Sequence, residues 1–265
     1  MLGRFITILS LSLGLMLAVH PVQSATPKEP MWPIIKEIHF EGKDIRENAD
    51  DLIALDAPKR AEDAAIVPIT IKLLQPQTAE KYVKNLHLII DNNPEPYSAN
   101  FHLTPEMTDV EIGTRVRVDQ YTDMRVIAEM NDGSMHMVSK FVKASGGCSA
   151  PAGKDAEAAM ARLGKMQIRM RQPTIGEPVQ AQVIVSHPNY SGLQYDQKNR
   201  KYIEAHYVKD VEIQYNDKSL FKVDTGISVS EDPSIRFTFV PTEHGTLKAL
   251  VSDSQSQNFS AEKQI

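Results

Sequence analysis

Met124-Arg125-Val126-Ile127-Ala128-Glu129-Met130-Asn131-Asp132-Gly133-Ser134-Met135-His136-Met137-Val138-Ser139-Lys140 decides the fold class. Met124, Val126, Ala128 and Met130 hold alternate positions, with Arg125, Ile127 and Glu129 between them. A period of two is the signature of a strand with one buried face. Asn131-Asp132-Gly133-Ser134 supplies the residues that a hairpin turn demands, and residues 135–143 return as its partner. The same period runs back through residues 52–143. Val67, Ile69, Ile71 and Leu73 alternate with Pro68, Thr70 and Lys72, and Pro68 suits an edge or a strand start. A strand over 86–90 stops at Asp91-Asn92-Asn93-Pro94, a strong turn signal. Phe101 and Leu103, then residues 110–118, are further strands. Strands this short and closely spaced predict an antiparallel sandwich.

A second block repeats the pattern. Ile168 and Met170 alternate with Gln167 and Arg169. Val179, Ala181, Val183 and Val185 alternate with polar residues. Val211, Ile213 and Tyr215 lead into the turn Asn216-Asp217. Ile235, Phe237 and Phe239, then Leu247, Ala249 and Val251, close the block. The reading is all-β, with two sandwiches in tandem.

Between the blocks lies Ala144-Ser145-Gly146-Gly147-Cys148-Ser149-Ala150-Pro151-Ala152-Gly153, which holds the single cysteine of the chain. Gly146 and Gly147 remove two Cβ atoms directly before the thiol. That frees the backbone to reach positive φ and to thread a narrow opening. Ser149, Ala150 and Ala152 are small, and Pro151 keeps the exit extended. A free cysteine in an apolar strand is most often a small buried hydrophobe. These flanks have no apolar period, and loops of this composition run over the surface. The expectation is an exposed, reactive thiol on an arm made flexible by Gly146 and Gly147. The Gly146 and Gly147 amides, and the start of a short helix over 155–163, would favour the thiolate. Asp155 caps that helix and would itself oppose the anion, and Gly164 ends it. A flexible linker that merely contains alanines is the alternative.

The 265 residues suit one large or two ordinary domains. Hydrophobic residues at 42% and charged residues at 24% are ordinary for a globular chain. A net charge of −5 without a Lys/Arg run excludes nucleic acid and an anionic membrane surface as partners. Residues 1–24 read as a signal peptide: Arg4, an apolar run over 5–19, and Val22-Gln23-Ser24 before Ala25. The run is shorter than the roughly 20 residues that span a bilayer, so cleavage and a periplasmic location without membrane attachment are expected. Residues 25–33 are a tail. Residues 33–40 form a short helix, with Trp32, Ile34, Ile35 and Ile38 available for packing. In an oxidising compartment cysteines pair to brace small domains. A lone one points to an intermolecular bond or a reactive thiol, so a disulfide-linked homodimer through Cys148 is open to this chain.

Other chemistry is thin. No pair among His39, His102 and His136 has metal-ligand spacing, and His187 and His206 read as loop or solvent-face residues. There is no nucleophile elbow, no P-loop and no dinucleotide fingerprint. No metal, no cofactor and no self-contained active site is expected.

Val67-Pro68-Ile69, Asp91-Asn92-Asn93-Pro94, Thr114-Arg115-Val116-Arg117 and Val142-Lys143 leading to Gly146-Gly147-Cys148 resemble SoxY, the carrier subunit of the sulfur-oxidation system. Ser186-His187-Pro188, Ser191-Gly192-Leu193, Tyr202-Ile203, Val229-Ser230 with Asp232-Pro233, and Gly245 resemble SoxZ. Their order in one chain is similar to the fused SoxYZ-like carriers associated with periplasmic quinoprotein dehydrogenases. The resemblance implies two immunoglobulin-like sandwiches packed against each other, and a cysteine on a flexible arm to which sulfur intermediates are attached covalently. It implies as partners the periplasmic sulfur-metabolism enzymes, a quinoprotein dehydrogenase, or both. SoxY ends in a free Gly-Gly-Cys-Gly-Gly arm. Here Ser149-Ala150 replace the last glycines and the chain runs on to Ile265, so the arm is tethered at both ends.

The expected division is a signal peptide over 1–24, a SoxY-like sandwich over 25–144, a Gly-Gly-Cys arm over 145–164 and a SoxZ-like sandwich over 165–265. Two functions follow from different premises. One is a non-enzymatic carrier that holds a sulfur-containing intermediate on Cys148. The other is a non-catalytic assembly module for a quinoprotein dehydrogenase system, with Cys148 incidental.

Overall fold

A computed structural model describes residues 30–151 and 156–265. The expected signal peptide and the expected cap Asp155 lie outside these residues. The first half contains helix α1 (Trp32–Phe40) and strands β1 (Ile45–Arg46), β2 (Ile53–Asp56), β3 (Val67–Leu73) and β4 (Val83–Ile90). It continues with β5 (Tyr97–Leu103), β6 (Glu111–Val116), β7 (Thr122–Met130) and β8 (Met135–Val142). Helix α2 (Ala156–Ala161) leads into β9 (Met166–Met170), β10 (Val179–Val185), β11 (Tyr195–Asp196), β12 (Lys201–Tyr202) and β13 (Val208–Tyr215). Strands β14 (Lys218–Thr225), β15 (Ser234–Phe239), β16 (Thr246–Asp253) and β17 (Asn258–Gln264) complete the chain. The fold is all-β, as the alternation requires.

Hairpin chemistry sets the register. Between β7 and β8 the Gly133 N–H donates to Met130 O at 3.0 Å, and Gly133 takes φ +86. That is a three-residue loop with glycine at its left-handed position. Between β13 and β14 both Asn216 and Asp217 have positive φ, +48 and +60, the two-residue turn whose twist matches the strands.

Two sheets result. The larger has the order β1-β8-β7-β4-β5-β14-β13-β16-β17 and the smaller β2-β3-β6-β15-β10-β9. Both cross from the first half of the chain into the second. β5 pairs antiparallel with β14, from Leu103 opposite Phe221 to Ala99 opposite Thr225. β6 pairs with β15 through Gly113–Arg236 and Ile112–Phe237. The two immunoglobulin-like sandwiches are therefore joined edge to edge in both layers. Pairing satisfies strand edges that would otherwise be open to other chains. One hydrophobic cluster fills the space between the sheets and draws on both halves, with Ile69, Leu88 and Phe101 beside Val211, Phe221 and Phe237.

Helix α1 explains why β4 is buried on both faces. Leu86, Leu88 and Ile90 point into the main core. Ile89, with Ile127, Met135 and Met137, points outward into a second cluster closed by Ile35 and Phe40 of α1. The apolar Ile127 among the outward positions of β7 thus has a cover.

Candidate functional site

Cys148 lies where the two halves meet. The support starts at the turn 91–94. Arg125 grips Asp91 through Nε and Nη2 at 2.8–3.0 Å, and its guanidinium stacks over Trp32 at 4.7 Å. The pinned turn presents Asn93, whose amide donates to Arg117 O at 2.8 Å and to Ser228 Oγ at 2.9 Å. Asn93 Oδ1 accepts the Asp119 N–H at 2.9 Å. Residues 117–119 are held in place by these bonds, and they in turn hold the arm. The Gly146 N–H donates to Asp119 O at 2.8 Å and the Gly147 N–H to Val118 O at 3.0 Å.

The glycines have separate jobs. Gly146 has φ +77 with open space where a side chain would go, so its backbone conformation calls for glycine. Gly147 lies in a gap: a Cβ there would run into the carbonyls of Ala64 and Val118. From the second half, Ser191 Oγ donates to Cys148 O at 2.5 Å. Ser191 is fixed because Tyr190 and His206 exchange backbone hydrogen bonds at 2.7 and 3.0 Å.

The thiol itself is closed off. Cys148 is 0% exposed, contrary to the expected exposed and flexible arm. The small flanking residues let the segment tuck between residues 64, 118 and 191, which are remote in sequence. Burial pushes the Cys148 thiol up to about 12, and the Asp119 carboxylate adds to the rise while Arg117 opposes it. The Gly146 and Gly147 amides are already bonded to carbonyls, so they do not serve a thiolate. A disulfide-linked homodimer through Cys148 is incompatible with this closed arrangement.

Two residues of the site were quoted in the sequence without a role. Arg117 is 2% exposed beside the thiol, and Ser191 is 4% exposed against its carbonyl. An arginine inside a strand pattern that ends in Val118 was the available signal for the first. Nothing local signals the second, because its partner is 43 residues away.

A second polar cluster lies in the second half. His187 lies in a loop, as expected, and His206 on an isolated bridge to Tyr190, but both are buried, 1% and 4% exposed, and neither is a solvent-face residue. Their ring nitrogens and Asp253 lie within 4.8 Å of one another. His206 Nε2 bonds Asp253 Oδ2 at 2.8 Å, and His187 Nε2 lies 3.5 Å from the same oxygen. The Asn189 N–H donates to His187 Nδ1 at 3.0 Å. That bond places the proton of a neutral His187 on Nε2, and a protonated nitrogen is not a metal ligand. Burial, then the neighbouring His206, pulls His187 down to about 4. The cluster acts as a buried polar brace behind the loop that carries Ser191.

Comparison with known proteins assigns the two halves. The family described as sulfur oxidation protein SoxY matches residues 38–148, and sulphur oxidation protein SoxZ matches residues 168–264. The chain belongs to these two families, fused in one polypeptide. The SoxY match ends on Cys148. Among solved structures, the sulfur carrier protein SoxY from Chlorobium limicola f thiosulfatophilum is similar at 24% identity, over 43% of this chain and 91% of its own, with a TM-score of 0.36. Superoxide reductase (neelaredoxin) from Ignicoccus hospitalis is similar at 19% identity, over 43% of this chain and 88% of its own, with a TM-score of 0.30. The fibronectin(III)-like modules of CbhA from Clostridium thermocellum reach 8% identity, 81% and 93% coverage and a TM-score of 0.23. Likenesses at these scores carry no argument. No curated protein sequence matches the chain.

Proposed function

We propose that this protein is a periplasmic, non-enzymatic carrier that holds a sulfur-containing intermediate covalently on Cys148 and presents it to partner enzymes of sulfur metabolism. The observation that carries the reading is the placement of Gly146-Gly147-Cys148. The segment closes the SoxY match, and the SoxZ half clasps it through Ser191. A cysteine placed only to fill a core would pack with the apolar clusters, and Cys148 belongs to neither. The docked state is a closed rest state. Among the described residues, three hydrogen bonds tie residues 146–148 to Val118, Asp119 and Ser191, and each contributes about 1 kcal/mol net. A modest differential contact with a partner enzyme is then enough to open the arm.

The burial of Cys148 favours a second reading, in which the chain is a non-catalytic assembly module for a periplasmic quinoprotein dehydrogenase system and the thiol is structural. Intact mass separates the two. Wild type and Cys148→Ser are incubated with host periplasmic extract and a sulfur donor. A mass gain in wild type that Cys148→Ser lacks supports the carrier. No gain, or the same gain in both, puts the assembly module in its place.

A further inference from the structure

Arg117 is almost fully buried, and among the described residues no carboxylate forms an ion pair with it. Its Nη1 donates to the carbonyl oxygens of Val229 at 2.5 Å and Ile227 at 3.5 Å. Its Nε is buried without a hydrogen-bond partner. Of the acids nearby, Glu231 and Asp232 pair with Arg162, at 3.8 and 2.8 Å, and Glu231 supports the Arg117 charge without forming an ion pair with it. Leaving a buried cation with an unused donor is unfavourable unless something answers it. The arm carrying the thiol is tied to the surroundings of this group at both ends: Gly147 and Gly146 bond to Val118 and Asp119, the two residues after Arg117, and Asn189, which shares the Val229 carbonyl with Arg117, lies two residues before the Ser191 that holds Cys148 O. Arg117 also lies within electrostatic reach of Cys148, since it opposes the rise of the thiol.

We infer that Arg117 is the counter-ion of the docked arm, holding the terminal sulfonate of an anionic sulfur adduct on Cys148 while the arm is closed. This rests on the carrier reading. The bare thiol does not need the pairing. Asp119 acts on Sγ against the anion, more strongly than Arg117 acts for it, and the thiol stays protonated. In a Cys148–S–S–SO₃⁻ adduct the charge is permanent and lies beyond Sγ. An orphan guanidinium N–H suits it, because charge-assisted hydrogen bonds are shorter and stronger than neutral ones. The closed state would then accept the loaded arm as well as the empty one, and shield its cargo.

The test makes the adduct chemically, so it does not depend on any partner enzyme. In urea, the Cys148 thiolate attacks a central sulfur of tetrathionate. The central S–S bond breaks, thiosulfate leaves with the electron pair, the thiol proton goes to buffer, and Cys148–S–S–SO₃⁻ remains. In a second sample treated with methyl methanethiosulfonate, the thiolate takes the S–CH₃ group, methanesulfinate leaves with the electron pair, the thiol proton goes to buffer, and a neutral Cys148–S–S–CH₃ remains. Both are refolded, and removal of each adduct by dithiothreitol is followed by intact mass. Arg117→Gln is expected to lose the sulfonate adduct about tenfold faster than wild type, the size of one charge-assisted hydrogen bond. It should lose the methyl adduct at the wild-type rate, and Arg117→Lys should restore much of the protection. If Arg117→Gln releases both adducts equally faster, the residue is structural and the inference fails. If wild type protects the sulfonate no better than Arg117→Gln does, it fails as well. A failure of extract-dependent loading would instead count against the carrier reading and leave this comparison intact.

Discussion

Gly147 passes where no side chain fits, and Gly146 bends where side chains are strained. The two substitutions to alanine should therefore differ. Gly147→Ala sets a Cβ against the backbone carbonyls of Ala64 and Val118, which cannot swing aside. The arm is expected to undock at a cost of about 1–3 kcal/mol. Alkylation of Cys148 in the folded protein should then rise about tenfold for each 1.4 kcal/mol of docking lost. Gly146→Ala meets no neighbour and bears only the left-handed backbone penalty of about 1–2 kcal/mol. Iodoacetamide kinetics on both variants check this, and equal rates would mean that the gap at Gly147 does not hold the arm. The raised pKa of Cys148 has its own signature. Its ordinary value is 9.0 and its folded value about 12, so the folded state keeps the proton that the unfolded chain gives up. The linkage is absent below pH 9, and stability is lost as pH climbs from 9 towards 12. Relative to Cys148→Ser, wild type should lose on the order of 1 kcal/mol at pH 10. Urea unfolding of both proteins at pH 8 and pH 10 measures it. A gap independent of pH would show a solvated thiol.

Strands β14 and β15 each serve two sandwiches. β14 pairs with β13 on one side and β5 on the other. Its Phe221 is fully buried and stacks edge-on against Phe237 of β15, with ring centroids 5.1 Å apart. Phe221→Ala should cost about 3–5 kcal/mol and lower one cooperative transition for the whole chain. Calorimetry showing a second transition left at its wild-type temperature would mean that the halves unfold separately. β14 was not legible in the sequence. Its apolar residues Leu220, Phe221 and Val223 break the two-residue period, because the register shifts between Ile213 and Gln214 of its partner. β17 was missed for another reason: it is an edge strand with only Phe259 and Ala261 on its apolar face, and both stay partly exposed. The strands with clean alternation, such as β3, β7, β10 and β16, were read directly, because burial of one face wrote their pattern.

Across the whole molecule, local pattern identified two sandwiches but could not show that their sheets are shared, since the seam is made by residues more than 100 positions apart, such as Phe101 and Val223. The same limit hid the site. The sequence pointed to Gly146, Gly147 and Cys148 through their composition, while the burial of the thiol depends on Ala64, Val118 and Ser191, which nothing local ties to it. The SoxZ-derived latch and the SoxY-derived arm also have a kinetic relation that a two-subunit arrangement lacks. Ser191 is covalently bound to the chain it closes upon, so shutting the arm is a unimolecular event. Linked groups meet at an effective concentration set by their tether, in the millimolar range for short flexible connections. Dilution cannot separate them, and the fraction of closed molecules is the same in a cell that makes a few copies of this chain as in one that makes thousands.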